Sequence, residues 1–281
     1  MNDNRKYSVF ITGCSSGIGR SLAWEFHKNG HRVIATARKI ETLDELKNNG
    51  MTVLSLDITD QESIDKAVKD ALNEFGGIDI LVNNAGFGLM GPIVEIGLDD
   101  FRRQLETNVV GQLAMVKAVL PGMIEKGFGR IINVSSVSGV LATPFSGAYC
   151  SSKAAMNSIS DSLRMELKPF GIDVISLQPG GIESKFGDNA TKILNETIKK
   201  NSLYEKIKPF IAKRAMESQK GAMPSEKLAE KIVCCATSDS PPCLVRLGKS
   251  STLLPAMKTL LPPKVIDRIF QKRFGISTMC E

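Results

Sequence analysis

The sequence predicts an α/β domain built on a doubly wound, mostly parallel sheet. Three observations support this fold class: short runs rich in Val, Ile and Leu, helix-length segments that alternate with them, and a glycine-rich turn directly after the first run. Strand-then-helix repetition is typical of parallel sheets that carry helices on both faces. We therefore expect parallel strands joined by right-handed crossovers.

The predicted strands lack strict alternation of apolar and polar residues, as expected of strands covered on both faces. They span residues 7–12, 33–37, 52–56, 78–82, 130–134, 173–177 and 244–247. The predicted helices span residues 17–29, 40–48, 61–75, 99–126, 147–169 and 225–237.

The composition is that of one globular unit. The 281 residues are 42% hydrophobic and 23% charged, which supplies a sizeable core and argues against disorder. We see no internal repeat and no Pro-rich linker, so we expect a single domain over residues 1–281.

Charge and cysteine content exclude several classes of protein. The net charge of +6 suits a phosphorylated ligand or an anionic membrane surface, but it is too small to indicate nucleic-acid binding. Six cysteines without a C-x-x-C pair predict free thiols in a reducing compartment and no metal site. No apolar leader precedes the first strand and no run of about 18 apolar residues occurs, so we expect a cytoplasmic protein without a spanning segment.

The glycine-rich turn, Thr-Gly-Cys-Ser-Ser-Gly-Ile-Gly at residues 12–19, opens the first helix. Glycine lets backbone N–H groups approach a diphosphate, and the positive end of the helix faces that charge. The lysine of a P-loop is absent, which disfavours a nucleoside triphosphate. An ordinary turn without a ligand is the alternative. The residues that we assign to dinucleotide binding are Gly13, Ser15, Ser16, Gly17, Ile18 and Gly19.

The end of the second strand bears on which nicotinamide cofactor binds. NAD sites usually place a carboxylate there for the ribose 2′-OH, whereas this strand ends Ala-Arg-Lys at residues 37–39. Arg38 can fork onto a 2′-phosphate. The sequence therefore predicts NADP(H) over NAD(H), with a solvated arginine as the alternative reading.

Tyr149 and Lys153 are four residues apart in a segment of helical composition, so they share one helix face. A free tyrosine has a pKa of about 10, which a nearby ammonium lowers. Such a pair can give a proton to a carbonyl oxygen or take one from an alcohol. The same spacing also occurs in ordinary surface pairs, although this chain has only three tyrosines.

With these residues in place, the chain resembles the short-chain dehydrogenase/reductase family over roughly residues 5–247. The matching stretches, in the family's order, are residues 12–19, Asn83-Asn84-Ala85-Gly86, Asn108, Asn133-Val134-Ser135-Ser136, residues 149–153 and Pro179-Gly180. The resemblance implies a Rossmann-type fold. The long tail makes the chain similar to the family's 17β-hydroxysteroid- and retinol-dehydrogenase-like branch.

The resemblance also implies four catalytic residues. Ser136 would hydrogen-bond the substrate oxygen, and Tyr149 would be the general acid/base. Lys153 would also hold the nicotinamide ribose, and Asn108 would anchor a water that links Lys153 to solvent.

Cofactor contacts follow from the same resemblance. Asp57 and Ile58 would face the adenine, and Asn84, Ala85 and Gly86 would close the fourth strand against the adenosine ribose. The family's basic residue within the glycine turn is missing, so Arg38 carries most of the predicted NADP preference. The residues that would flank the nicotinamide are Pro179, Gly180, Ile182 and Ser184.

Two segments outside the strand–helix rhythm bear on the substrate. Residues 181–223 fall where the family has its substrate lid, and residues 248–281 extend past the last strand. Apolar residues recur in both at helical spacing, so each either covers an apolar ligand or packs on the domain. In the lid they are Phe186, Ile193, Leu194, Ile198, Leu203, Tyr204, Ile207, Phe210 and Ile211. In the tail, Leu253, Leu254, Met257, Leu260 and Leu261 form one face, and Val265, Ile266, Ile269 and Phe270 form a second.

The tail is also basic, with Asp267 as its one acid between residues 246 and 274. A basic amphipathic helix can lie on an anionic membrane, while a capping helix on the domain is the alternative. Peripheral membrane contact through the C-terminal helices and assembly into a homo-oligomer both stay open.

These features predict an NADP(H)-dependent oxidoreductase. We expect it to interconvert a lipophilic secondary alcohol and a ketone, such as a steroid, retinoid or acyl-lipid ketone. A 3-oxoacyl thioester reductase is one alternative. A nicotinamide-sensing regulator without turnover is another, which the retained Ser136, Tyr149 and Lys153 disfavour.

Overall fold

A computed structural model of the chain describes residues 5–184, 186–187, 202–216 and 219–280. Its strands are β1 Ser8–Ile11, β2 Arg32–Ala37, β3 Thr52–Ser55, β4 Ile80–Asn83, β5 Gly129–Val134, β6 Ile172–Leu177 and β7 Leu244–Val245. They form one parallel sheet in the order β3-β2-β1-β4-β5-β6-β7. The predicted fold class is confirmed, and each predicted strand overlaps an observed one.

Helices connect these strands and extend past the last of them. The α-helices are α1 Gly17–Lys28, α2 Asp44–Asn48, α3 Gln61–Phe75, α4 Leu98–Leu105, α5 Gly111–Lys126, α6 Gly147–Leu167, α7 Lys208–Met216, α8 Ser225–Thr237, α9 Leu253–Leu260 and α10 Pro263–Arg273. The predicted helix over residues 40–48 is divided into a 3₁₀ turn, Ile40–Leu43, and α2.

Apolar cores lie on both faces of the sheet, as strands without alternation require. On one face, Phe26 of α1 and Ile232 of α8 pack with Ile11 and other strand residues. On the other, Ile64 of α3 and Met115 of α5 share a second cluster. Helices on both sides therefore hold the strands in place and leave the carboxyl ends of the strands open.

The predicted helix over residues 99–126 contains a π-helical turn at Glu106–Val110, between α4 and α5. Single π turns often occur at functional sites, and this one carries Asn108. The whole segment Leu98–Lys126 has the length and hydropathy to cross a membrane. It is also a core helix, because Met115, Val116 and Val119 are buried against the sheet.

The tail folds back over the lid. Ile207 and Ile211 from the lid are buried together with Ile266 and Phe270 of α10 and with Phe274. This is packing on the molecule, one of the two readings of these apolar residues. The lid residues Ile193, Leu194 and Ile198 lie outside the described residues.

The apolar face predicted for α9 is only partly used. Leu254, Met257 and Leu261 pack against the lid–tail cluster. Leu253 and Leu260 do not, since they are 57% and 76% exposed. The predicted face is too wide, because one short helix lying on a surface can bury only one side.

Candidate active site

A cleft of about 1090 Å³ opens along the carboxyl ends of the strands. The sheet order changes direction between β1 and β4, and doubly wound sheets bind ligands at such a switch point. The glycine turn and the end of β2 line one part of the cleft. Lid and tail, together with Met90 from the loop after β4, line the other part, which we call the substrate chamber. Its walls are Met90, Phe186, Leu254, Met257, Phe270 and Phe274.

The glycine turn lies against the end of β4. Gly13 has φ +75°, and a Cβ there would lie 2.9 Å from Ala85 Cα. A Cβ on Gly19 would lie 2.3 Å from Asn84 Nδ2, which donates to the carbonyls of Thr12 (2.8 Å) and Gly13 (3.0 Å). A side chain is therefore excluded at both glycines, so the turn packs closely against the end of β4.

This turn fits the diphosphate of a dinucleotide. Ser16 precedes α1 in extended conformation, and its side chain does not cap the helix. The first N–H groups of α1 face the cleft end lined by Gly13, Ser15 and Ile18. Nicotinamide dinucleotide is the group that this cradle suits.

Arg38, Asp57 and Ile58 line the far end of the cleft, beyond the turn. The carboxylate of Asp57 accepts hydrogen bonds from Thr59 N (3.0 Å) and Thr59 Oγ1 (2.7 Å), which fix its orientation. Arg38 is exposed at the edge of this end, after the buried Ala37. The arrangement places a cation at this end of the cleft.

Ser136, Tyr149 and Lys153 meet where the turn and the substrate chamber join. Ser136 follows β5, and its side chain hydrogen-bonds the Tyr149 phenol. Lys153 Nζ donates to Val134 O at 2.7 Å and lies 5.9 Å from the centroid of the Tyr149 ring. Ser135 Oγ donates to Lys153 O at 3.0 Å, which ties α6 to the end of β5.

Burial shifts the pKa values of the two central groups in opposite directions. Burial raises the pKa of Tyr149 to about 12, while the Ser136 hydrogen bond and the Arg214 charge act the other way. Burial lowers the pKa of Lys153 to about 8. The expectation that the Lys153 ammonium brings the tyrosine pKa below its ordinary value is therefore wrong, because desolvation of the phenolate outweighs nearby charge.

Asn108 fastens the loop after β4. Its Nδ2 donates to Phe87 O (3.0 Å) and Ser152 Oγ (3.1 Å), and its Oδ1 accepts from Phe87 N (3.1 Å). A Cβ on Gly86 would lie 3.0 Å from Asn108 Oδ1 and 3.8 Å from Lys153 Nζ. Asn108 thus lies beside Lys153 with its amide engaged by protein, and its proposed water contact stays a prediction.

Phe186 covers Tyr149 from the lid side. Its ring centroid is 5.1 Å from that of Tyr149, and a Cβ on Gly88 would lie 2.4 Å from the Phe186 ring. Ser184 lies just before it, 3.0 Å from the position of a Cβ on Gly17. Ser184 and Phe186, at the start of the lid, therefore contact the glycine turn and Tyr149 respectively.

The cleft brings together nearly all the site residues predicted from the sequence. Those that line it are Gly13, Ser15, Ser16, Ile18, Arg38, Asp57, Ile58, Asn84, Ala85, Gly86, Ser136, Tyr149, Lys153, Pro179, Gly180, Ile182 and Ser184. Gly17, Gly19 and Asn108 lie behind this lining.

Sequence reasoning missed Thr143, Arg214 and Arg273, which also line the cleft. The apolar spacing of lid and tail drew attention to their hydrophobic faces, and an arginine beside such a face reads as solvated. Only the contact between segments far apart in sequence reveals them.

Residues 7–194 match the sequence family described as short chain dehydrogenase. This chain belongs to that family. The family assignment from the motifs is confirmed, and so is the oxidoreductase class.

Similarity to individual proteins extends over nearly the whole length of this short-chain dehydrogenase. Oxidoreductase YbbO of Escherichia coli K12 is 34% identical over 94% of both chains. The NADPH-dependent 1-acyldihydroxyacetone phosphate reductase of Schizosaccharomyces pombe is 37% identical over 72% of this chain and 69% of its own length. The NADPH-dependent 3-dehydrocapnine reductase of Ornithobacterium rhinotracheale is 32% identical over 95% and 96%.

The fold has close counterparts among solved structures. A short-chain dehydrogenase from Streptomyces avermitilis superposes with a TM-score of 0.79 at 28% identity, covering 99% of this chain and all of the other. The similarity thus extends over nearly the whole length of both chains.

Proposed function

We propose that this short-chain dehydrogenase reduces the ketone of a lipophilic substrate with NADPH, or runs the reverse oxidation. The observation that carries the proposal is the position of Tyr149. It lies where the part of the cleft that suits a dinucleotide meets the apolar walls of the substrate chamber. Its phenol is hydrogen-bonded to Ser136. A carbonyl group placed beside Tyr149 would lie next to the glycine-turn part of the cleft and next to the substrate chamber.

The residues of the chain divide the chemistry among them. A nicotinamide, when bound, would supply or accept the hydride, and Lys153 would hold its ribose. Ser136 orients the carbonyl oxygen by hydrogen bonding, and Tyr149 donates its phenolic proton to that oxygen. Lys153 supports the phenol, while Phe186 limits access of water to the pair.

Cofactor preference rests on Arg38 and on the missing carboxylate at residue 37. Two relatives whose names state NADPH dependence support the same choice. Replacing Ala37 by Asp and Arg38 by Gln should shift the ratio of kcat/KM values from NADPH toward NADH, because the acid repels a 2′-phosphate and accepts from a 2′-OH. A wild-type enzyme that prefers NADH would overturn this assignment.

The apolar substrate class follows from the chamber walls. Lid and tail present aromatic and aliphatic side chains toward Tyr149, and ligand sites with such walls select apolar bodies. The fission-yeast relative is named for an acyl lipid, 1-acyldihydroxyacetone phosphate, which supports an acyl-lipid ketone over a steroid or retinoid.

A substrate panel tests the proposal directly. NADPH oxidation should be seen with long-chain ketones and should be much slower with short ones, with Tyr149→Phe as the inactive control. A preference for 3-oxoacyl thioesters would move the activity to the alternative reductase. Cofactor binding without turnover on any carbonyl would indicate a sensor.

A further inference from the structure

The lid brings a positive charge to the substrate end of the cleft. Arg214, near the end of α7, donates to Thr143 Oγ1 from Nη2 (2.8 Å) and from Nε (3.2 Å). Its Nη2 also lies 3.3 Å from Ser146 Oγ, at the residue that directly precedes α6. The guanidinium is therefore held in one orientation against the helix that carries Tyr149.

A second arginine approaches from the tail. The Cζ atoms of Arg214 and Arg273 lie 5.9 Å and 6.0 Å from the centroid of the Phe274 ring. All three residues line the cleft. Lid and tail thus place two guanidinium groups around one aromatic wall of the substrate chamber.

The described cleft lining as a whole carries more basic than acidic residues. Among the described residues that line the cleft, seven are Lys or Arg and one, Asp57, is acidic. Asp57 lies at the far end, where Thr59 engages it. The charge of Arg214 reaches the reacting centre, since it lowers the pKa of the Tyr149 phenol against the larger effect of burial.

We propose that Arg214, assisted by Arg273, binds an acidic group that the ketone substrate carries within a few atoms of its carbonyl. A guanidinium binds phosphate, sulfonate or carboxylate oxygens through charge-assisted hydrogen bonds, which are stronger than those between neutral groups. The apolar walls then take the hydrocarbon part of the same molecule. This assignment rests on the proposed function, because it names a second group on the ketone that Tyr149 protonates.

The competing role for Arg214 is purely structural. Its bonds to Thr143 and Ser146 attach the lid to α6, so its loss could loosen the lid for every substrate. The two roles differ in one respect: a lid fastener affects charged and neutral ketones alike, and an anion-binding residue does not.

A matched pair of ketones separates these roles. The substrates are 1-phosphooxydodecan-2-one and the neutral 1-methoxydodecan-2-one, assayed on wild type, Arg214→Met and Lys213→Met. Lys213 is the neighbouring cation on α7, is exposed, and does not line the cleft, so its variant removes the same charge from the same helix.

We expect the ratio of kcat/KM values, phosphorylated over neutral ketone, to fall at least tenfold in Arg214→Met and to stay within twofold in Lys213→Met. An equal loss on both ketones assigns Arg214 to lid positioning and overturns the proposal. A ratio that falls equally in both variants also overturns the proposal. The overall positive charge of the lid would then explain the preference for the phosphorylated ketone.

A binding measurement keeps the test separate from turnover. Dodecyl phosphate, below its micelle concentration, is titrated calorimetrically into wild type, Arg214→Met and Lys213→Met, each saturated with NADP⁺. Affinity should drop at least tenfold only in Arg214→Met. If no ketone is reduced but this pattern holds, the proposed function fails and the anion site stands. If ketones are reduced but Arg214→Met does not selectively lose affinity for dodecyl phosphate, the anion-site proposal is overturned and the proposed function is not.

Discussion

At the scale of single residues, burial shifts the pKa values of both Tyr149 and Lys153. Burial disfavours whichever form is charged, so it favours neutral Tyr149 and neutral Lys153. Because the tyrosine pKa is near 12 and the lysine pKa near 8, the pair holds a phenol and an ammonium at neutral pH. A neutral phenol is the form that can give a proton to a carbonyl oxygen.

The pH profile follows from these directions. The Lys153 ammonium is present below its pKa of about 8 and is lost as pH rises through that value. We expect kcat/KM for ketone reduction to be level at neutral pH and to decline above about 8, because the charged lysine then no longer supports the phenol and the ribose. A reduction rate that climbs from pH 7 to 9 would contradict this, provided that a stability control shows the fold intact.

Removing the proton itself gives the sharpest single-residue test. Tyr149→Phe keeps the ring that packs on Phe186 but has no proton to give, so turnover should fall by about 10²–10⁴-fold. NADPH affinity, measured by fluorescence titration, should be nearly retained. Lys153→Met should lose both, since its side chain has two proposed tasks. Full turnover in Tyr149→Phe would remove this residue from the mechanism.

The residues that sequence could predict are those with local context. Tyr149 and Lys153 are linked by helical spacing, and Gly13 belongs to a turn whose chemistry is written in neighbouring residues. Arg214 has no such local context. Its partners Thr143 and Ser146 are about 70 residues away, so its position depends on how the lid lies against α6.

At the scale of elements, the lid and the tail pack together and form one wall of the substrate chamber. Ile211 of α7 and Phe270 of α10 are buried in the same cluster, which also contains Leu141 and Phe145 from the loop before α6. Neither helix could be placed from its own sequence, because amphipathic periodicity shows that a face is buried without showing what buries it. Strands were easier to place, since the parallel α/β pattern restricts their neighbours.

The shared cluster predicts that the tail stabilises the fold. Phe270→Ala empties a site that is 5% exposed, so we expect a loss of about 3–5 kcal/mol and a clear drop in Tm. Val265→Ala, on the same helix at a site 37% exposed, is the matched control and should change Tm little. The idea fails if both variants melt together with the wild type in a calorimetric scan.

At the scale of the whole molecule, the tail exposes large apolar side chains as well as cations. Leu253 lines the cleft yet is 57% exposed, and Leu260 on the same helix, α9, is 76% exposed. Lys258 also lies on α9, and Lys264 lies on α10. We propose that this rim of leucines and lysines rests on an anionic membrane surface, from which an acyl-lipid substrate could enter.

Vesicle binding tests that placement. The double variant Leu253→Ser, Leu260→Ser should bind phosphatidylserine vesicles several-fold more weakly than wild type in a flotation assay, because it loses apolar area at the interface. Leu98→Ser, at a site 70% exposed on α4, is the control. Wild-type binding should also weaken as salt screens the lysines. Equal binding of all three proteins, or none by the wild type, rules the rim out.

The contribution of residues 253–274 to the chamber wall has a consequence for synthesis on the ribosome. The glycine turn, Tyr149 and strands β1–β6 all precede residue 180, so they leave the ribosome before the tail does. At about 5–20 residues per second, the remaining stretch to Phe274 takes roughly 5–20 s. During that interval Met90, Leu141 and Phe145 lack their cover, so the nascent chain presents an apolar surface that chaperones would recognise.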